Sequence, residues 1–173
     1  DATRDPTLSW EYWDGDNWAR LDVETDDTTD LKTPGPVTFE VPDALEPTTV
    51  AGQEGHWVRV RLVGGAYVRP TATRKGTSPL EWETSYEGAP PRFGHVELSF
   101  PADPPGEAPE HELSYNNLAF DTDVTSPFVG PPDEEQTLYV GFDGPLSDGP
   151  IQLLPSVLDR EFPPGFHPRV RWE

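Results

Sequence analysis

Acidic residues around the first turn of the chain are the first candidates for chemistry. Asp14, Asp16 and Asn17, followed by Asp22, place side-chain oxygens close together, and oxygens are the ligands that Ca²⁺ prefers. An EF-hand-type loop needs a further oxygen ligand at position 18, which is Trp18 in this chain. Asp14, Asp16 and Asp22 are therefore calcium candidates by composition, but we expect them to form a hairpin turn. We interpret the next acidic cluster as a solvated loop: Asp26, Asp27 and Asp30.

Motifs of known catalytic and metal centres do not occur in the sequence. The histidines lack the close spacing of a zinc site, being His56, His95, His111 and His167. The chain has no cysteine, which excludes disulfides and thiolate metal ligands. No G-x-S-x-G elbow, P-loop or dinucleotide fingerprint is found, and carboxylates are too frequent here to indicate a glycosidase. We expect no enzymatic activity and no cofactor.

Aromatic residues dominate residues 8–21, LSWEYWDGDNWARL, which predict a β-hairpin with its turn at DGDN. Trp10, Trp13 and Trp18 could form a platform on which a sugar stacks. The alternative is burial in a core or an interface, which is usual for an aromatic hairpin. On that interpretation we expect Trp10 and Tyr12 on opposite faces of the strand. A lone hairpin cannot bury these rings, so the rest of the chain must cover them.

Residues 56–62, HWVRVRL, are the clearest strand of the first half. Alternation places Val58 and Val60 on one face and Trp57, Arg59 and Arg61 on the other. The arginines could anchor an interface with another protein. They could equally pair with acidic residues of a neighbouring strand within this chain.

Proline and glycine, 22 and 15 residues, divide the rest of the chain into short alternating segments. We predict an all-β fold, an antiparallel β-sandwich that is immunoglobulin-like or jelly-roll-like. Further strands are expected within 37–41, 80–86, 95–100, 138–142 and 151–154, while residues 113–120 mix apolar residues with an expected turn at Asn116 and Asn117. Residues 69–79, RPTATRKGTSP, are the expected linker. This gives one module over 1–76 and a second over 77–173, unless the two halves pair as one permuted sandwich.

The net charge is −20, from 32 acidic and 12 basic residues. Such a chain repels nucleic acids and anionic membranes, so we expect neither as a partner. We favour adaptation to high salt, which screens the self-repulsion, over an acidic surface for cations or a basic partner. No apolar run is long enough to span a bilayer and no signal peptide is recognised. The chain starts without Met, and RVRWE at its end resembles its opening strand, so we expect a piece of a longer protein.

Several phrases in order resemble one family. They are WEYWDG at 10–15, GPVTFEVP at 35–42, WVRVRL at 57–62, LSYNNLAF at 113–120 and LYVGFD at 138–143. Together they resemble the baseplate J-like assembly proteins of contractile phage tails and related injection systems. The resemblance implies a structural role with other baseplate or tail subunits as partners, in a particle assembled in the cytoplasm. The strong acidity fits a haloarchaeal member.

We therefore expect a non-enzymatic interaction module, with Trp10, Trp13, Trp18, Trp57, Arg59 and Arg61 as structural or interface residues. The alternative is a β-sandwich that binds carbohydrate or a cell surface through exposed aromatic rings.

Overall fold

The computed structural model describes residues 5–75, 81–100, 103–116, 118–128, 137–144, 146 and 150–157. The described chain is all β, with antiparallel pairing throughout, as predicted. The strands are β1 (Thr7–Trp13), β2 (Trp18–Arg20), β3 (Val23–Asp26), β4 (Val37–Glu40), β5 (Pro47–Val50), β6 (Gln53–Gly64), β7 (Val68–Lys75), β8 (Glu81–Gly88), β9 (Phe93–Phe100), β10 (Asp103–Glu107), β11 (His111–Asn116), β12 (Ala119–Asp121), β13 (Thr137–Phe142) and β14 (Pro150–Val157).

The strands form two large sheets and one ribbon. Sheet 1 has seven strands in the order β12-β11-β13-β6-β1-β2, with β5 paired to the start of β6. Sheet 2 has five strands in the order β10-β9-β14-β4-β3. The pairings of β6 with β13 and of β4 with β14 join strands from each side of residue 76 in both sheets.

One apolar core lies between the two sheets, because each sheet turns alternate side chains toward the other. Sheet 1 contributes Val58 and Val60 of β6 with Leu138 and Val140 of β13, and all four are buried. Sheet 2 contributes buried residues from β4, β9 and β14: Val37, Phe39, Phe93, Val96, Leu98, Ile151 and Leu153. The prediction that Val58 and Val60 share one face is confirmed, and that face points into the core.

The first strand corrects one prediction. Trp10 is buried in the core, and Tyr12 packs against the same core cluster. The prediction that these two rings lie on opposite faces is wrong, because residues two positions apart in a strand share a face.

The predicted linker at 69–79 is also wrong over its first part. Residues 68–75 form β7, which pairs along its whole length with β8, from Val68 opposite Gly88 to Lys75 opposite Glu81. Threonine favours an extended backbone, and this preference outweighs the proline and charges that suggested a linker. Residues 76–79 and the predicted echo strand at 169–173 lie outside the described residues.

Candidate functional site

The side of sheet 1 that faces away from the core, here called the outer face, concentrates charged and aromatic side chains. Alternation along β6 brings Trp57, Arg59 and Arg61 to this face, as predicted. The neighbouring strands add residues in register with them: Glu11 and Trp13 from β1, Trp18 from β2, Tyr139 from β13, and Leu113 and Tyr115 from β11.

Glu11 binds both arginines at the centre of the outer face. It lies directly opposite Arg59 in the β1–β6 register, and Ser9 lies opposite Arg61. Arg59 donates from Nε to Glu11 Oε2 at 2.7 Å, and its Nη2 lies 2.6 Å from the same oxygen. Arg61 Nη2 donates to Oε1 at 2.9 Å, and Ser9 Oγ donates to that oxygen at 3.0 Å. The arginines therefore pair within the chain.

Burial and charge act in opposite directions on the Glu11 carboxyl. Desolvation raises its pKa, whereas hydrogen bonds from Arg61, Arg59 and Ser9 and the charge of Arg59 lower it. The net result is a lowered pKa, so Glu11 stays ionised. Only 6% of the residue is exposed, and the pair is therefore partly shielded from screening by salt.

Arg59 also lies among aromatic rings. Its Cζ atom is 4.0 Å from the centroid of the Trp18 ring and 5.8 Å from that of Tyr139. Its Nη1 donates to Tyr139 Oη at 3.3 Å. A guanidinium over a ring face is attracted by the ring quadrupole, so Arg59 joins the Glu11 pair to the aromatic cluster.

The aromatic rings contact one another mainly edge to face. Trp18 lies 5.6 Å from Trp13 and 5.6 Å from Tyr139, at interplanar angles of 71° and 73°. Trp57 is fully buried and stacks on His111, with ring centroids 5.8 Å apart. Trp13 and Trp18 are half-buried and form the part of the hairpin that a partner could contact.

The sugar platform of three tryptophans, the alternative to burial, is not formed. Trp10 lies in the core on the opposite face of β1 from Trp13. Trp13 and Trp18 meet at 71°, and Arg59 lies over the Trp18 ring. A sugar needs an uncovered ring face, so this geometry does not favour stacking across the three rings.

The calcium candidates lie in or beside the β1–β2 turn. Asp14 Oδ1 accepts from the backbone N–H of Asp16 at 2.9 Å and of Asn17 at 2.7 Å, and these bonds lower the pKa of Asp14. Gly15 supplies the positive φ, 99°, that the turn requires. Asp22 is an exposed residue beyond β2. Within the described ranges, no group of three or more His, Cys, Asp or Glu residues could hold a metal.

The second acidic cluster is more ordered than a solvated loop. Asp27 is exposed, but Asp26 and Asp30 are half-buried, so the prediction is wrong for these two. Thr29, Asp30 and the buried Leu31 all have left-handed φ values, 56°, 57° and 58°. The Asp30 carbonyl accepts from the hydroxyl of buried Tyr67 at 2.8 Å.

Each of the three described histidines has its own partners, and none is paired with another histidine. His111 Nε2 is 2.7 Å from Asp143 Oδ1, and His95 Nε2 is 3.3 Å from Glu97 Oε1. His56 pairs with Pro47 and Phe142 along the backbone. His167 lies outside the described residues.

Sequence reasoning missed Glu11 and Tyr139, which together with Trp18 hold Arg59 on the outer face. Ser9 and Glu11 are two positions apart on β1, just as Arg59 and Arg61 are on β6. This matching spacing is the feature of the sequence that could have indicated that the two pairs face each other. It becomes informative only once the β1–β6 register is known.

No helix long and apolar enough to cross a membrane occurs in the described part of the chain. Comparison with protein-family models, curated proteins and solved structures finds no match for this chain.

Proposed function

We propose that this chain is a non-enzymatic interaction module of a phage-tail-like baseplate protein, with other baseplate or tail subunits as its partners. One observation carries the proposal. Three phrases that resemble the baseplate J-like group, WEYWDG, WVRVRL and LYVGFD, fall on β1 with its turn, on β6 and on β13. These three strands are direct neighbours in sheet 1. The residues that carry the resemblance therefore form one continuous part of the sheet and are not scattered over the fold.

The chemistry of the outer face supports an interaction role. Tryptophan, tyrosine and arginine are enriched in protein interfaces and supply much of their binding energy. Trp13 and Trp18 are half-buried, and the Arg61 side chain is 38% exposed. Glu11 already fixes the arginines, so a partner would meet an ordered surface and lose little side-chain entropy on binding.

The charge of the chain supports assembly in concentrated salt. A net charge of −20 on 173 residues opposes close contact with other acidic proteins at low ionic strength. At about 1 M salt the Debye length falls to about 3 Å, so surface repulsion between subunits is largely screened. Short-range contacts by aromatic rings then decide which partners bind.

The experiment is to label the parent protein and image the assembled particles. We expect the label at the baseplate. A label that is absent from the baseplate, or particles that assemble unchanged without the protein, would contradict the proposal.

A variant pair tests the surface itself. Trp13→Ala removes a half-buried ring of the outer face, and Thr84→Ala alters an exposed position on β8. We expect tail subunits to copurify with the Thr84→Ala protein and to be lost from the Trp13→Ala protein, with circular dichroism confirming that both fold. Specific glycan binding that depends on Trp13 would instead favour the carbohydrate-binding alternative.

A further inference from the structure

We propose that the β7–β8 ribbon joins copies of this chain, with the β7 edge of one copy pairing with the β8 edge of the next. The ribbon is a separate two-stranded sheet, in which Val68–Lys75 pair with Glu81–Gly88 along their whole length. Among the described strands, none pairs with the outer edge of β7 or of β8. Unpaired edges present backbone N–H and C=O groups that accept a further strand. This contact does not depend on the proposed baseplate role, and it uses no residue of the outer face.

The rest of the described chain leaves the outer part of the ribbon uncovered. Residues 72–75 of β7 and 83–85 of β8 are exposed at every position. Consecutive residues of a strand point to opposite faces, so both faces of the ribbon meet solvent. An extended strand of the length of β7 spans about 23 Å, at about 3.3 Å per residue. A neighbouring molecule therefore has access to both edges.

The base of the ribbon, in contrast, is anchored in the core. Tyr67 and Val68 are buried, and the Tyr67 hydroxyl donates to the carbonyl of Asp30 at 2.8 Å. Gly88 at the end of β8 has a φ of 89°, and a Cβ atom there would overlap the carbonyl of Tyr67. Beyond this anchor the ribbon has only two strands, which is marginally stable in water, and a third strand would stabilise it.

The two strands of the ribbon carry opposite charge. β7 contains Arg69, Arg74 and Lys75 and no acidic residue, although the whole chain has only 12 basic residues. β8 contains three glutamates and no basic residue. The strands already attract each other within one ribbon, where Lys75 forms an ion pair with Glu83. One edge of the ribbon is therefore basic and the other is acidic.

This separation of charge determines which edges pair between copies. Two β7 edges would bring basic strands together, and two β8 edges would bring acidic strands together, and like charges on neighbouring strands destabilise a sheet. A β7 edge beside the β8 edge of another copy repeats the arrangement that exists within each ribbon. One chain supplies both complementary edges, so the partner is a second copy. Such a head-to-tail contact generates a ring if the rotation closes and a filament if it does not.

Concentrated salt should favour this contact. A net charge of −20 repels approaching copies at low ionic strength. At about 1 M salt the Debye length is about 3 Å, which screens this long-range repulsion. The backbone hydrogen bonds between the added strands do not depend on the net charge, so association should be measured at this salt concentration.

The first test is cross-linking, which is straightforward because the chain has no cysteine of its own. Ala72→Cys and Thr84→Cys place one thiol each at exposed positions of β7 and β8 that lie opposite each other in the ribbon register. A short thiol-specific cross-linker should join the two variant proteins when they are mixed at about 1 M KCl, and should leave each variant alone as a monomer. Cross-linked dimers of Ala72→Cys alone would overturn the head-to-tail arrangement.

The second test is a charge reversal without cysteine. Arg74→Glu and Arg20→Glu change the net charge by the same amount, and both arginines are exposed, but only Arg74 belongs to the ribbon. Sedimentation velocity should show self-association of the unchanged protein and of Arg20→Glu, and association weakened by about threefold or more in Arg74→Glu. Circular dichroism confirms that both variants fold.

Three further results would overturn the proposal. They are an unchanged protein that stays monomeric at about 1 M KCl, association weakened equally by Arg20→Glu and Arg74→Glu, and association lost in Trp13→Ala but kept in Arg74→Glu. The last result would assign the contact between copies to the outer face. None of them bears on whether the parent protein lies in a baseplate, so the two proposals fail independently.

Discussion

The indole ring of Trp57 lies directly over Gly141 on the neighbouring strand. A Cβ atom placed on Gly141 would be 2.8 Å from three ring atoms of Trp57, Cδ2, Cε3 and Cζ3. The ring has little room to move, since Trp57 is fully buried and its Nε1 donates to the carbonyl of Thr48 at 3.2 Å. The glycine in LYVGF is therefore explained by the ring that crosses it.

Gly141→Ala should lower the free energy of unfolding by about 1–3 kcal/mol, because overpacking forces the indole or the backbone to shift. Gly144→Ala is the control, since a Cβ atom there meets nothing within 4 Å. Urea unfolding followed by tryptophan fluorescence measures both. Equal stability of the two variants would mean that Trp57 adjusts without cost.

Glu11→Gln should lower the free energy of unfolding by about 2 kcal/mol, because two guanidinium groups lose their shared carboxylate. The figure is below that of a fully buried pair because the Arg61 side chain is 38% exposed. Glu83 pairs with Lys75 where both side chains are more than half exposed. Glu83→Gln should therefore cost about 0.5 kcal/mol or less. A similar loss in both variants would contradict a central role for Glu11.

The Glu11 contribution should also depend on pH. Its pKa is lower in the folded protein than the ordinary value of 4.5, so the unfolded chain binds the proton more readily. The stabilisation is complete above the ordinary value and is lost as the pH falls through the lower, folded one. Unfolding of the unchanged protein and of Glu11→Gln, compared from pH 7 to pH 3, should show a constant difference that shrinks only below about pH 4.5. A difference in the free energy of unfolding that increases as the pH falls would contradict this prediction.

Thr29→Gly should raise the free energy of unfolding by about 1 kcal/mol. A β-branched side chain is strained in a left-handed backbone, and glycine removes that strain. Thr29 has a φ of 56°. The control is Thr25→Gly on the exposed side of β3, where glycine should destabilise the strand. Thermal unfolding of both variants gives the comparison, and a loss of stability in Thr29→Gly would mean that the threonine side chain outweighs the strain.

The melting temperature should rise as KCl is increased from about 0.05 M to 2 M, because the shorter Debye length screens the repulsion among acidic residues. The triple variant Asp22→Asn, Glu24→Gln and Asp27→Asn removes three exposed charges and should show a smaller rise. A melting temperature that does not change with salt would contradict adaptation of this chain to high salt.

The strands and their inward faces could be predicted because alternation is a local property of the sequence. Residues 56–62 and 138–142 were recognised from their own residues, and both are strands. Which strands pair is not local: β6 lies next to β13, and only the folded chain shows that Arg59 faces Tyr139. The left-handed turn at Thr29 was missed because no glycine marks it.

Individual residues of the site could be predicted from the sequence, but the contacts between them could not. Arg59 and Trp18 were singled out by residue type, yet their contact depends on the register between β1, β2 and β6. An open depression lined by Ser114, Asp121 and Arg92 was missed, since its lining comes from β11, β12 and the segment before β9. Residue type alone does not show that these three segments meet.

The position of β13 between β11 and β6 has a consequence for synthesis of the protein. The ribosome releases β6 well before β13, and β4 before β14, so both sheets lack a middle strand while most of the chain already exists. Until then the apolar side of β6 and its unpaired backbone edge are available to neighbouring nascent chains. Translation must pass residue 157 before the sandwich can close, and chaperones that delay aggregation would matter most during that interval.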